Sequence, residues 1–170
     1  MKKTYAIVDL ETTGSSFKRG DRIIQFGCTL LQADEIIQEI NITINPGRKI
    51  PDIIEKLTGI KNKDVKEAPY FEDVCDFIYN TLDGCIFVAH NVHFDYHFLD
   101  SSLREVGMPP LSLPAMDTVE LTKILYPTLS SYRLGDLSNY FVLTHDNAHD
   151  AASDAHATAE LFLQLKKKAN

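Results

Sequence analysis

Tyr5-Ala6-Ile7-Val8-Asp9-Leu10-Glu11-Thr12-Thr13-Gly14 begins with four apolar residues and ends on polar, turn-forming ones. Such a run predicts a buried strand that carries its acidic residues at its far end. On an extended chain, residues two apart point to the same face about 7 Å apart, so Asp9 and Glu11 project together. Open α/β sheets place their ligands at the carboxyl ends of strands. Two neighbouring carboxylates repel each other unless a cation lies between them, and hard oxygen donors select Mg²⁺ or Mn²⁺ over zinc. Taken alone, an Asp-x-Glu is more often a solvated strand end, so the pair needs partners from elsewhere in the chain.

Working outward, Arg22 to Leu31 and Ile36 to Ile44 are strand-like runs separated by Gln32-Ala33-Asp34-Glu35, which predicts a hairpin and an antiparallel meander with the first strand. Pro51 opens a short apolar-periodic piece that ends near Leu57-Thr58-Gly59. From Tyr70 to Leu82, Phe71, Val74, Cys75, Ile78 and Leu82 recur at helical spacing. Cys85-Ile86-Phe87-Val88-Ala89 is a fourth strand that delivers His90 and Asn91 at its end. Phe94 to Val106 is a predicted helix with Phe94, Phe98, Leu99 and Leu103 on one face, stopped by Gly107 and Pro109-Pro110. Met116-Asp117 ends a short fifth strand, and helices are predicted over Thr118 to Leu125, Arg133 to Tyr140 and from Ala151 onward. The order implies an α/β domain with a mixed central sheet, a three-strand antiparallel meander plus parallel strands, flanked by helices.

At 170 residues the expectation is a single domain, residues 1–170, with an ordinary globular composition of 44% hydrophobic and 24% charged residues. No segment has the apolar length of a membrane span, and Asp9 interrupts any signal-peptide core, which gives a cytoplasmic expectation with no membrane partner. Cys28, Cys75 and Cys85 lie in apolar surroundings without C-x-x-C spacing, so neither disulfides nor a zinc knuckle are expected. The net charge of −7 argues against a broad basic surface for nucleic acid. Carboxylates loaded with cations can still form a local positive centre for phosphate.

Three further polar residues complete the candidate set. Asp95 falls in the first turn of a helix, where a carboxylate also favours the helix dipole. His149 lies in a turn and Asp154 one turn into the last helix, where Ala151, Ala152 and Ala155 permit close packing on the sheet beside the first strand. His93, His97, His145 and His156 read as surface or packing residues. His145-Asp146 and His149-Asp150 superficially suggest an HD-type phosphohydrolase, an all-helical architecture that the early meander opposes. There is no G-x-x-x-x-G-K-[ST] phosphate loop.

Val8-Asp9-Leu10-Glu11-Thr12-Thr13-Gly14, His90-Asn91-x-x-Phe94-Asp95 and His149-x-x-x-x-Asp154-Ala155 together resemble, in order and spacing, the three motifs of the DEDDh 3′–5′ exonucleases, the DnaQ or epsilon-subunit type of the ribonuclease H-like superfamily. The resemblance runs from about Thr4 to Leu165. It is strongest to the exonuclease domains attached to DinG-type helicases and PolC-type polymerases, which makes a domain excised from a longer protein, and a helicase or polymerase module as partner, part of the expectation. The resemblance implies a ribonuclease H-like fold and two divalent cations, Mg²⁺ or Mn²⁺, held by Asp9, Glu11, Asp95 and Asp154. It further implies His149 as general base, which an imidazole titrating near neutrality suits. The implied reaction releases 5′-mononucleotides from 3′ ends, of single-stranded DNA in preference to RNA. An exoribonuclease of the same family and a noncatalytic binding module are the alternatives. For the substrate, Thr12, Thr13 and Gly14 are expected to offer backbone N–H groups to the terminal nucleotide. Leu57 and Phe94 are expected to pack on its base or sugar, with core packing as the rival role. Asn91 is expected either to bond phosphate or to cap its helix.

Overall fold

The computed structural model describes residues 1–170. Strands β1 (Thr4–Thr12), β2 (Ile23–Gln32) and β3 (Glu35–Thr43) form the antiparallel meander, while β4 (Ile86–Ala89) pairs parallel with β1 and β5 (Ala115–Asp117) pairs parallel with β4. The sheet order is β3-β2-β1-β4-β5. Ala33 and Asp34 turn the β2–β3 hairpin with φ of 52° and 64°, the left-handed pair whose twist matches that of the strands. The helices are α1 (Asp52–Thr58), α2 (Asn62–Val65), α3 (Phe71–Leu82), α4 (Val92–Glu105), α5 (Thr118–Leu125), α6 (Leu134–Phe141) and α7 (Ala151–Ala169). This is the mixed sheet flanked by helices expected from the sequence, with two short elements unforeseen, a 3-10 turn at Phe17–Arg19 and helix α2. Helix α2 is four residues long and buries only Val65, too little to leave a periodic apolar pattern.

Strand alternation sorts β1 into two faces. Ala6, Val8 and Leu10 enter the main core with Phe26, Phe87 and the helix residues Ile78, Leu99 and Leu103. Ile7 points the other way and packs with Val88, Ala159 and Phe162 of α7. Asp9 and Glu11 continue that second face past the point where apolar packing stops. Directly across on β2 stand Gly27, opposite Asp9, and Gln25, opposite Glu11. A Cβ built on Gly27 would lie 2.3 Å from the carbonyl carbon and oxygen of Ala151, so the backbone of α7 rests on β2 where only glycine leaves room. Small residues, with Ala151, Ala155, Ala157 and Ala159 fully buried, line the helix face that makes this approach. Close packing therefore brings the start of α7 beside the acidic end of β1.

Cys28, Cys75 and Cys85 are buried free thiols, and burial pushes the Cys28 thiol far above its ordinary range, as befits a small core hydrophobe. No helix is long and apolar enough to cross a membrane.

Candidate active site

Each acidic residue is delivered by a different local device. Strand β4 pairs with β1 only over Tyr5–Ile7, and beyond it the Leu10 N–H donates to Asp95 Oδ1 at 3.0 Å. Asp95, buried in the first turn of α4, thus stitches that helix to β1 as well as facing the helix dipole. The turn into α4 passes through Asn91 at a left-handed φ of 74°. Asp117 holds it there, accepting the Asn91 N–H at 3.0 Å and the Val119 N–H at 2.9 Å. His90 is set between Thr118 Oγ1 (2.8 Å) and the Tyr132 carbonyl (2.7 Å), so both ring nitrogens are spent on scaffolding, and burial lowers its pKa.

Helix α7 is fastened to β2 at its first residue. Gln25 Nε2 donates to Asp150 Oδ1 at 3.2 Å, the Ala151 N–H donates to Gln25 Oε1 at 2.8 Å, and Asp150 caps the helix by accepting the Ser153 N–H at 3.0 Å. One turn on, Asp154 Oδ1 accepts from His145 Nε2 at 2.5 Å and from the His149 N–H at 3.3 Å. His149 has a left-handed φ of 64° and an exposed side chain. Donor atoms of Glu11, His149 and Asp154 all lie within 4.8 Å of one another. A cleft of about 570 Å³ opens onto this group, walled by His145, His149 and Asp154 on one side and by Arg133, Leu134 and Gly135 on the other.

The electrostatics are those of an uncompensated acidic cluster. Burial, with repulsion from Asp95, Glu11 and Asp154 added, raises the Asp9 carboxyl well above its ordinary range. Burial raises Glu11 to about 8, with Asp154 and Asp95 contributing. Burial likewise raises Asp95 to about 8, against the opposing Leu10 N–H bond. Asp154 is raised by burial and partly relieved by His145. Asp9 and Asp95 stand outside the tight Glu11–His149–Asp154 group, yet repulsion ties them electrostatically to it. Asp9 Oδ2 is buried without any hydrogen-bond partner, an arrangement costly for a carboxylate unless a positive group meets it. Oxygen donors in this number, one of them orphaned, fit hard divalent cations.

The residues expected around a substrate divide differently. Thr12 Oγ1 donates to the Gly14 carbonyl at 2.6 Å. Thr13 is buried, its hydroxyl bonded to Asp21 Oδ1 at 3.1 Å and its N–H to the Arg22 carbonyl at 2.9 Å, so its donors are spent inside the protein. Leu57 is half exposed on α1, whereas Phe94 is partly buried with its ring 5.4 Å from Phe98. Asn91 is exposed and its side chain makes no capping bond.

Three site residues were not anticipated. His145, read as a packing or surface residue, is the direct partner of Asp154. Gln25 and Gly27 are the docking platform for α7. Both stand opposite the acidic pair in the β1–β2 ladder, a register set across the long connection between Thr12 and Ile23, so no short turn in the sequence signals their role.

Residues 6–162 match the RNase_T family, described as Exonuclease. The 3'-5' exonuclease DinG of Bacillus subtilis (strain 168) is 40% identical over 167 residues, which is 98% of this chain and 18% of that protein. The chain therefore spans less than a fifth of the curated relatives it matches. Exonuclease I of E. coli in complex with a dT13 oligonucleotide superposes with a TM-score of 0.87 at 20% identity, over 98% of this chain and 41% of that one. The nuclease domain of 3'hExo, a DEDDh family member bound to rAMP, superposes with a TM-score of 0.83 at 18% identity, over 98% and 92%. These two likenesses establish the fold, and the family match extends from the first strand into the last helix. The chain belongs to the RNase_T exonuclease family.

Proposed function

We propose that this chain is a metal-dependent 3′–5′ exonuclease domain, taken from a longer protein, that releases 5′-mononucleotides from single-stranded DNA. The observation that carries the reading is the orphaned Asp9 Oδ2 at the heart of four mutually repelling carboxylates, beside a family match that spans the chain. Asp9, Glu11, Asp95 and Asp154 would hold two divalent cations, Mg²⁺ or Mn²⁺. When bound, these supply an activated water and charge neutralisation at the phosphorus and the departing 3′ oxygen.

The chain's own residues do the rest. His149, exposed at the cleft and held by its backbone to Asp154, takes the proton of the attacking water on its imidazole. Its left-handed turn leaves the ring on the solvent side, where it can meet substrate. Thr12, although buried, and Gly14 would offer backbone, and half-exposed Leu57 an apolar side chain, to the terminal nucleotide. Asn91, free of any capping duty, is available to a phosphate oxygen, and Phe94 supports that wall from the core edge. The relatives named DinG extend the expectation to a helicase module as neighbour in the full protein, acting on DNA 3′ ends. RNA is the rival substrate, since the rAMP-bound nuclease domain shares this fold.

The test compares 3′-labelled DNA and RNA oligonucleotides of one sequence, with Mn²⁺ or with EDTA. Mn²⁺-dependent loss of the 3′ label from DNA, faster than from RNA, is expected. Faster RNA loss makes the domain an exoribonuclease, and binding without hydrolysis makes it a binding module.

A further inference from the structure

His145 is only 9% exposed, and both its ring nitrogens are engaged by the protein. Nε2 meets Asp154 Oδ1 at 2.5 Å, and Nδ1 lies 3.1 Å from Ser138 Oγ, a buried hydroxyl on α6 that itself bonds the Leu134 carbonyl at 2.7 Å. A ring so occupied can neither ligate a cation nor take a substrate proton, which separates it from exposed His149. Both protein donors to Asp154, the His145 ring and the His149 N–H, fall on Oδ1 and leave Oδ2 as the oxygen for a cation. The segment between α6 and α7 has no regular structure and places two non-glycine residues, Val142 and His149, at left-handed φ. Besides the bonds to Asp154 it is tied by the Thr144 N–H to Glu160 (2.6 Å) and the Asn147 N–H to Ser153 Oγ (3.1 Å).

We propose that His145 is a positioning residue of the metal centre: braced on Ser138 of α6, it fixes the Asp154 carboxylate so that one oxygen is consumed by the protein and the other is presented to a divalent cation. The inference rests on the metal-binding reading above. Partners of metal ligands commonly govern affinity because a ligand free to rotate must be ordered when the cation arrives. His145 performs that ordering in advance.

Mn²⁺ titration by calorimetry, on the full chain without DNA, tests this. Loss of binding in Asp154→Ala reports on the metal site itself, and the difference between wild type and His145 variants reports on positioning. His145→Ala and His145→Leu are expected to lose about 10- to 100-fold in Mn²⁺ affinity. His145→Gln, whose amide N–H can reach Asp154, should recover most of it. The Mn²⁺ concentration for half-maximal hydrolysis should rise in parallel while the KM for DNA stays unchanged. Circular dichroism and metal-free melting confirm that each variant is folded. Wild-type affinity in folded His145→Leu would overturn the proposal by showing that packing suffices. A folded His145→Gln as weak as His145→Ala would overturn it equally.

Discussion

Gly27→Ala probes the contact that assembles the site without touching any acidic residue. The added methyl would lie 2.3 Å from the Ala151 carbonyl atoms and 2.6 Å from the Ala152 nitrogen. Carbon atoms sit comfortably at about 3.5–4.0 Å, so α7 must retreat by roughly 1 Å or more. The obstacle is helix backbone pinned by Gln25, not the flexible end of a side chain, which points to the upper part of the roughly 1–3 kcal/mol that overpacking costs. Asp154 lies one turn along the same helix and moves with it, and a misplacement of about 1 Å costs on the order of 10² in rate. Urea unfolding should show a lowered midpoint with an unchanged slope, and hydrolysis of 3′-labelled DNA should fall on the order of 10²-fold in protein that remains folded. Gly135→Ala, where a Cβ meets nothing within 4 Å, is the stability control and should hold or gain up to about 1 kcal/mol. Wild-type stability and rate in Gly27→Ala would refute the claim that this contact sets the site.

Asp9→Ala and Asp154→Ala should nearly abolish hydrolysis together with Mn²⁺ binding, whereas His149→Ala should keep Mn²⁺ and lose about 10²–10⁴ in rate; equal calorimetric affinity in wild type and Asp9→Ala would contradict the ligand assignment. In EDTA, stability should fall as pH rises from about 4.5 to about 8. Glu11 and Asp95 keep protons in the folded state up to about 8 that the unfolded chain has already released, so the native state binds more protons across that window. Glu11→Gln should flatten the fall, as should saturating Mn²⁺, and a metal-free urea midpoint that climbs across this range would contradict the repelling cluster. Arg133→Ala, which removes an exposed cation from the cleft wall, should weaken single-strand binding in fluorescence anisotropy and lower the salt slope by about one, and an unchanged slope would remove it from the DNA path.

The sheet is legible in the sequence because it rests on local patterns, and the acidic set because three motifs in order and spacing resemble those of a known family. The apolar run ending in Asp9-Leu10-Glu11 announces a strand and its face, the hairpin at Ala33-Asp34 announces an antiparallel neighbour, and small residues before Asp154 announce a helix that packs closely. Structure added what depends on register and on side chains far apart in the chain. Gly27 and Gln25 matter because they stand across from Asp9 and Glu11, a relation carried by pairing and not by composition. Taken alone Asp95 reads as a helix-end carboxylate and by resemblance as a metal ligand, and its bond to the Leu10 N–H, 85 residues away, also uses it to close a gap beside β1. His145 reads in the sequence as a surface or packing residue because nothing in a lone histidine distinguishes a ring facing solvent from one wedged between Ser138 and Asp154. Thr13 shows the reverse: the family resemblance leads one to expect a substrate donor there, and the loop back to Arg22 consumes its N–H.

The claim that this chain removes nucleotides stepwise from 3′ ends is tested most directly by incubating it with Mn²⁺ and two single-stranded DNAs of one sequence, one linear and one circular, with Asp9→Ala protein as the control for contaminating nuclease. The expected result is progressive shortening of the linear strand with 5′-mononucleotides as product, an intact circle, and no reaction from Asp9→Ala. Cutting of the circle by wild type with Asp9→Ala inactive would contradict the account and make the same carboxylate cluster an endonuclease.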